Sequence, residues 1–249
     1  MSGRGGVVND TWDGVVPPEC QANPFVFRLN AALAWEEARE PLHRDIDVQK
    51  TCGVGPGMAF TSSVLKMDPG IGLIGLVPCA IGGTNISEWR RGGRLYNHLL
   101  TRAQAALHGG DRLIRGILWY QGESDTINYE DARLYKRRLE KIFNHVRSDL
   151  LSPLLPVIQV ALASGTGPYV DIIRKAQLGI NLPNVRCVDA YGLQLDPDGL
   201  HLSTQAQVRL GQMLADAFLQ LTAPLPVQSS GANKRFHNFF LDFFLRWVR

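Results

Sequence analysis

The chain has 249 residues, 45% of them apolar, which suffices for one α/β domain with a full core or at most two small domains. Its 26 Lys and Arg nearly balance its 23 Asp and Glu, and the basic residues are scattered. This pattern argues against a nucleic-acid-binding protein, which would concentrate its basic residues. The four cysteines form no Cys-x-x-Cys pair, so the sequence does not indicate a zinc or thioredoxin-type site.

Short apolar runs alternate with helical periods along the chain. Residues 25–29 alternate like a strand, residues 31–39 fit either a helix or a hairpin, and Pro56 opens a predicted helix through Lys66. Further strands are predicted at 71–77, 114–120, 155–162 and 185–190. Further helices are predicted around 95–103, 132–146, 170–178 and 203–221, with Ser203 as the last N-cap. This alternation predicts β-α-β units and a parallel sheet covered by helices on both faces.

Four polar or glycine-rich segments directly follow predicted strands, at 78–84, 121–125, 163–167 and 191–201. Ligands bind outside the carboxyl ends of the strands in an open parallel sheet. We therefore expect these segments to meet at one rim of the sheet.

Asp198 and His201 form the first candidate pair on this rim. Their spacing lets the carboxylate reach the near ring nitrogen of the histidine, leaving the far nitrogen to take a proton from a nucleophile. The alternative is structural: Asp198-Gly199 forms a turn and His201 caps the following helix. The position after the last strand and before the last helix favours the catalytic interpretation.

Gln121 and the pair Gly82-Gly83 are candidate donors to an oxyanion. A glutamine side chain at the end of a strand can offer N–H groups, and a glycine backbone N–H is not shielded by a Cβ. The alternative is that Gln121 ties loops together and the glycines form a tight turn. Glu123 is expected to support the site from behind by holding a loop or orienting Arg90 or Arg91, rather than to perform acid–base chemistry.

Five blocks of sequence resemble a known family. The blocks are Met1–Val7, Cys52–Phe60, Gly75–Thr84, Trp119–Asp125 and Asp198–Ser203. In order and spacing they closely resemble the plant carbohydrate esterases of family six, which belong to the SGNH (GDSL-type) hydrolases and are related to sialate O-acetylesterases. The resemblance covers residues 1–222, which we take as one domain, and leaves residues 223–249 as a tail.

The resemblance implies a flavodoxin-like three-layer α/β/α fold and serine-dependent hydrolysis of O-acetyl groups on carbohydrate, with no metal or organic cofactor. It implies that Asp198 and His201 belong to the triad and that Gln121 with Gly82 or Gly83 forms the oxyanion hole. The first residues do not resemble a signal peptide, and the compartment is left open because the true N-terminus is expected to lie upstream of Met1.

One family block is incomplete in this chain. The family pattern is Gly-Gln-Ser-Asn-Met-Ala/Ser-Gly-Arg-Gly-Gly after an apolar strand, and Met1 matches its methionine. We therefore expect the nucleophilic serine to lie upstream of Met1, together with the first strand of the sheet. Ser2 matches a variable position, and Ser124 and Ser164 do not occupy the expected elbow.

This departure leads to two further expectations. The chain as printed is expected to be nearly inactive, and the alternative is a pseudoenzyme that binds glycan or a protein partner. A weaker alternative is an acyl hydrolase acting on lipid esters.

In the tail, aromatic residues recur at helical spacing between basic residues at 234–249, which indicates an amphipathic helix contacting a membrane or a partner, or unrelated sequence.

Overall fold

A computed structural model describes residues 1–108 and 112–222 of the chain. The strands are β1 (Val7–Val8), β2 (Thr11–Trp12), β3 (Val26–Leu29), β4 (Trp35–Glu37), β5 (Ile74–Leu76), β6 (Ile117–Trp119), β7 (Val157–Ala161) and β8 (Val185–Asp189). The helices are α1 (Pro56–Met67), α2 (Arg94–Leu107), α3 (Tyr129–Asp149), α4 (Val170–Leu178) and α5 (Thr204–Thr222). Short 3₁₀ helices lie at Pro18–Cys20, Pro69–Ile71, Ile86–Trp89 and Ser124–Thr126.

The larger strands form two sheets of three strands each. In the first, the order is β4-β3-β5, with β3 parallel to β5 and antiparallel to β4. In the second, the order is β6-β7-β8 and all strands are parallel. Every residue of β7 is buried, as expected for a strand covered on both faces. Strand β5 is thus one edge of the first sheet, and β6 is one edge of the second.

Helices cover the sheets on both faces, which confirms the predicted three-layer α/β/α fold. On one face, α1 and α5 pack together, and their Val64 and Leu214 share a core with Ile158 of β7. On the other face, Leu139 of α3 and Ile173 of α4 share a core with Val157. The alternation of apolar residues along β7 between these two cores explains its uniform burial.

The predicted elements from residue 56 onward are confirmed, with shifts of a few residues at their ends. Helix α1 begins at Pro56, whose missing N–H costs nothing in a first turn. Ser203 Oγ accepts the Ala206 N–H at 3.3 Å, as the predicted N-cap of α5 should. Of the two alternatives for residues 31–39, the structure shows the hairpin: β4 pairs with β3, and Leu33 adopts a φ of 62° in the turn.

The predicted amphipathic helix at 234–249 lies outside the described residues. Within the described residues, no helix is both long enough and apolar enough to cross a membrane.

Helix α5 lies close against the backbone of α1 at Gly211. A Cβ atom built on Gly211 would stand 2.6 Å from the Pro56 oxygen and 2.8 Å from the Phe60 nitrogen. Because both atoms belong to the backbone, a side chain here forces the helices apart.

We predict that Gly211→Ala lowers the free energy of unfolding by about 1–3 kcal/mol. Alanine by itself favours a helix interior over glycine by roughly 0.5–1 kcal/mol, so any loss must come from the helix contact. Urea unfolding checks the prediction, with the exposed Asp216→Ala on the same helix as control. A variant at least as stable as the parent would contradict the close contact.

Candidate active site

The predicted pair of Asp198 and His201 is joined by a hydrogen bond. His201 Nδ1 lies 2.6 Å from Asp198 Oδ2, while Asp198 Oδ1 accepts the backbone N–H groups of Leu200 and His201 at 2.9 Å each. One carboxylate oxygen therefore holds the loop and the other holds the ring. The far nitrogen of His201 is left for a nucleophile, as the catalytic interpretation requires.

The loop that presents this pair is closed by backbone hydrogen bonds. Asp196 N–H donates to His201 O at 2.7 Å, and Ser203 N–H donates to Gln194 O at 3.0 Å. Gly199 has a φ of 68°, a left-handed conformation that glycine adopts without strain. Asp198 and Gly199 thus form the turn that the structural interpretation predicted, and the same loop also orients His201.

The environment of Asp198 keeps its carboxyl group ionised. Partial burial would raise its pKa, but the hydrogen bonds from the His201 ring and from two backbone N–H groups outweigh burial and lower the pKa to about 2. A carboxylate in this state favours the tautomer of His201 with its proton on Nδ1 and stabilises the imidazolium.

Gln121 lies on the rim but is engaged in hydrogen bonds. Its Nε2 donates to Thr84 O at 2.9 Å and to the Asp125 carboxylate at 2.7 Å, and its Oε1 accepts from the Tyr135 hydroxyl at 3.2 Å. Its backbone oxygen accepts from Tyr135 and from Gln177 Nε2. In this conformation, both side-chain N–H groups hold neighbouring loops, so the role of oxyanion donor remains a prediction.

Gly82 and Gly83 differ in what their N–H groups do. The Gly82 N–H donates to the buried Asp47 carboxylate at 2.8 Å. No described residue accepts a hydrogen bond from the Gly83 N–H, and Gly83 has a φ of 75°. Of the two predicted donors, Gly83 is the one whose N–H is available to a ligand.

Glu123 supports the rim mainly through its backbone. Its carbonyl oxygen accepts from the hydroxyl groups of Thr126 and Thr166, at 2.6 and 2.7 Å. Arg91, one of its two proposed partners, instead forms an ion pair with Asp149. Burial lowers the pKa of the Met1 amino group, and the nearby Glu123 carboxylate offsets this lowering only in part.

Three serines, Ser2, Ser124 and Ser164, line the cavity of the site or contact its rim. Ser164 donates its hydroxyl to Leu200 O and thereby fastens two rim loops. Within residues 1–108 and 112–222, no serine hydroxyl is hydrogen-bonded to His201. Ser2 and Ser124 line the cavity that also contains His201.

That cavity measures about 1020 Å³ and brings most of the predicted residues together. Its lining includes His201, Gln121, Glu123, Gly82 and Gly83, together with residues of β5 and β6. Asp198 stands behind His201. The four rim segments predicted from the sequence therefore contribute to one site.

Two acidic residues of the site were missed in the sequence. The Asp125 carboxylate accepts hydrogen bonds from Gln121 Nε2 and from the Ile86 N–H, and the Asp47 carboxylate accepts one from the Gly82 N–H. Asp125 belongs to the same Gln-Gly-Glu-Ser-Asp segment as Gln121, so its position was a usable signal. Asp47 lies in an irregular segment 35 residues before its partner, and no local pattern indicates the contact.

Comparison with known proteins identifies the family of this chain. Residues 1–220 match the family model described as "Carbohydrate esterase, sialic acid-specific acetylesterase". A probable carbohydrate esterase of Arabidopsis thaliana is 51% identical over 226 residues, covering 88% of this chain and 86% of that protein. The chain therefore belongs to the carbohydrate esterase family of sialic acid-specific acetylesterases.

Solved structures support the same fold. An X-ray structure of an Arabidopsis thaliana protein, also 51% identical, superimposes with a TM-score of 0.86 and covers 88% of this chain and 93% of its own. A carbohydrate acetylesterase of Xanthomonas citri has a TM-score of 0.60 at 19% identity, covering 82% of this chain and 51% of its own. The second structure shows a similarity of fold and nothing more.

The buried Asp125 generates a prediction about pH. Burial raises its pKa to about 6 from 3.8, although hydrogen bonds from Gln121 and Ile86 lower it in part. Between these two pH values the folded protein binds more protons than the unfolded chain. The contribution of Asp125 to stability therefore falls as pH rises through this window.

We predict that Asp125→Asn removes this slope, which amounts to at most about 3 kcal/mol. Urea unfolding of parent and variant at several pH values from 4 to 7 measures the slope. Glu40 is also buried, but it is present in both proteins and contributes equally to both slopes. As the pH rises, the free energy of unfolding of the variant should increase relative to that of the parent. Parallel pH profiles would show that Asp125 titrates normally.

Proposed function

We propose that this chain forms the ester-binding and acid–base part of a serine esterase that removes O-acetyl groups from carbohydrate. The observation that supports this most directly is the 2.6 Å hydrogen bond between Asp198 and Nδ1 of His201, which lines the cavity. Membership of the carbohydrate esterase family supplies the class of substrate. Neither a metal nor an organic cofactor has a role in this chemistry.

In the proposed mechanism, His201 Nε2 accepts the proton of a serine hydroxyl as its oxygen attacks the acetyl carbonyl carbon. Asp198 stabilises the resulting imidazolium. The imidazolium then returns the proton to the sugar oxygen as the ester bond breaks, and water hydrolyses the acetyl-serine in a second, equivalent cycle. Each step uses the same nitrogen, so the ring must keep one orientation throughout.

The negative oxygen of the tetrahedral intermediate needs N–H donors. The Gly83 N–H is available for this role, whereas the Gly82 N–H must first leave Asp47. Gln121 remains the proposed second donor, and serving as one requires its side chain to release Thr84 or Asp125. Loss of one such donor typically costs about 3–4 kcal/mol of transition-state stabilisation.

The proposal places the nucleophilic serine in polypeptide on the amino side of Met1. Met1, Ser2 and His201 line the same cavity, and the Met1 amino group donates to Tyr120 O. None of the described serines is hydrogen-bonded to His201. The 249-residue chain is accordingly proposed to hold the ester pocket without its nucleophile.

We predict that the 249-residue chain and its His201→Ala variant hydrolyse p-nitrophenyl acetate at the same low rate. In a form extended upstream of Met1 that includes the serine, His201→Ala should lower kcat/KM by roughly 10⁴-fold or more. Ser124→Ala is the matched control and should leave the rate unchanged. Rapid, His201-dependent turnover by the 249-residue chain would refute the missing nucleophile while supporting the esterase.

The absence of a hydrogen-bonded serine among the described residues also favours a second candidate, a glycan-binding pseudoenzyme. Calorimetry with an acetylated oligosaccharide tests it on the 249-residue chain. Binding without hydrolysis would support this candidate, and hydrolysis that disappears in His201→Ala would exclude it.

A further inference from the structure

Exposed apolar side chains lie beside the cavity at the start of α3. Tyr129 is the first residue of that helix and is 54% exposed, and Ile127, just before it, is 60% exposed. The ring of Tyr169 lies 5.6 Å from the ring of Tyr129, centroid to centroid, with 62° between the two planes. Single exposed apolar residues are ordinary, but a group that shares one place marks a binding surface. We call Ile127, Tyr129 and Tyr169 the tyrosine platform.

The tyrosine platform is ordered before any ligand binds. Tyr169 packs against the core that contains residues of α3 and α4. Asn128 caps α3, because its Oδ1 accepts the N–H groups of Glu130 at 2.8 Å and Asp131 at 3.4 Å. The cap fixes the backbone of Tyr129, and the Tyr169 ring supports its side chain. A surface that is already ordered loses little conformational entropy on binding.

Two loops connect the tyrosine platform to the cavity. The loop after β6 carries Ser124, which lines the cavity, and reaches Ile127 three residues later. The loop after β7 carries Thr166, which also lines the cavity, and reaches Tyr169 three residues later. Three residues of chain span at most about 11 Å. The platform therefore begins within a short distance of the cavity wall on both loops.

These two loops are also fastened to each other. The Tyr169 N–H donates to Thr126 O at 3.0 Å, and the Gly167 N–H donates to Thr126 Oγ1 at 2.8 Å. A Cβ atom built on Gly167 would stand 2.4 Å from Ile127 Cα, so only glycine allows the loops to approach this closely. The tyrosine platform and the cavity wall thus keep a fixed position relative to each other.

The chemistry of the tyrosine platform suits the flat face of a sugar ring. A pyranose presents C–H groups on its face and hydroxyl groups around its edge, and a tyrosine presents an apolar ring with a polar tip. Within the described chain, neither the Tyr129 nor the Tyr169 hydroxyl is hydrogen-bonded to protein, so both are available to sugar hydroxyl groups. Three side chains are too few for a stable protein partner, which covers roughly 20–30 residues on each side.

The acidic residues next to Tyr129 are already paired with arginines. Glu130 pairs with Arg133 and Asp131 pairs with Arg138, each at 2.6 Å between nitrogen and oxygen. All four residues belong to α3, so these pairs add no net charge beside the tyrosine platform. A neutral sugar therefore suits this surface better than a charged one.

We propose that the tyrosine platform is a subsite for a neutral, β-linked glycan chain, which stacks one sugar ring on Tyr129 while its acetylated unit lies in the cavity. The choice of carbohydrate rests on the proposed function, whereas the position of the subsite rests on the two loops that join the platform to the cavity. Stacking gives the chain affinity for the glycan beyond the acetylated unit, and Tyr129 carries most of this affinity.

Binding of oligosaccharides to the full 249-residue chain tests the proposal. Titrations followed by ¹⁵N NMR measure the dissociation constants of cellotetraose and xylotetraose, neither of which carries an acetyl group. Tyr129→Ala removes the ring, and Tyr129→Phe keeps the ring but removes the hydroxyl. Phe25→Ala is the matched control, because Phe25 is also 54% exposed but precedes β3, at the opposite end of its sheet from the segment 78–84.

At least one tetrasaccharide should bind the parent and shift the amide signals of residues 127–129 and 166–169. Tyr129→Ala should weaken this binding at least about fivefold, whereas Tyr129→Phe and Phe25→Ala should each stay within about twofold of the parent. Alanine favours a helix and Tyr129 is exposed, so the variant should keep its fold. Unchanged affinity in Tyr129→Ala, signal shifts confined to other residues, or no binding by the parent would overturn the proposal.

The subsite and the proposed esterase can fail separately in these experiments. The two oligosaccharides carry no ester, and their binding requires no nucleophile. A failure to bind therefore contradicts the subsite alone, while hydrolysis of p-nitrophenyl acetate by the form extended upstream of Met1 would still support the esterase. Binding that depends on Tyr129, without hydrolysis by the extended form, would support the subsite and contradict the esterase.

Discussion

The constraint on which this structure depends most is that backbone polar groups in a buried sheet must be paired. The described strands satisfy it within two separate sheets, up to the facing edges of β5 and β6. The cavity and the buried Met1 amino group both occur at that boundary. Two of the four active-site segments, 78–84 and 121–125, follow β5 and β6, so the site also lies at this boundary.

Two buried arginines meet the same constraint at the strand ends. Arg102 of α2 donates to the oxygens of Leu29, Asn30 and Pro78, where β3 and β5 end. Arg147 of α3 donates to the oxygens of Leu155, Pro183 and Asn184, just before β7 and β8. Each guanidinium donates to three carbonyl groups near strand ends, and each ties a helix to two strands. These arginines thus hold each sheet to one of its helices.

The sequence predicted most of the fold because its signals are local. Apolar runs, helical periods and caps such as Pro56 and Ser203 depend on residues within one or two turns, and the Asp198–His201 pair spans only three residues. The site was less predictable where partners are distant. Nothing near Gln121 shows that its N–H groups bind Thr84 and Asp125, and nothing near Gly82 shows that Asp47 accepts its N–H. Such contacts depend on how loops meet after the sheets form.

The acid–base pair and the oxyanion donors of the proposed mechanism are held by different parts of the fold. The Asp198–His201 pair is held by hydrogen bonds within residues 194–203 and by α5, which packs on α1 and the second sheet. The proposed oxyanion donors instead lie on loops that two carboxylates hold, Asp47 through the Gly82 N–H and Asp125 through Gln121 Nε2. A change in either carboxylate would therefore move the donors while leaving the Asp198–His201 hydrogen bond in place.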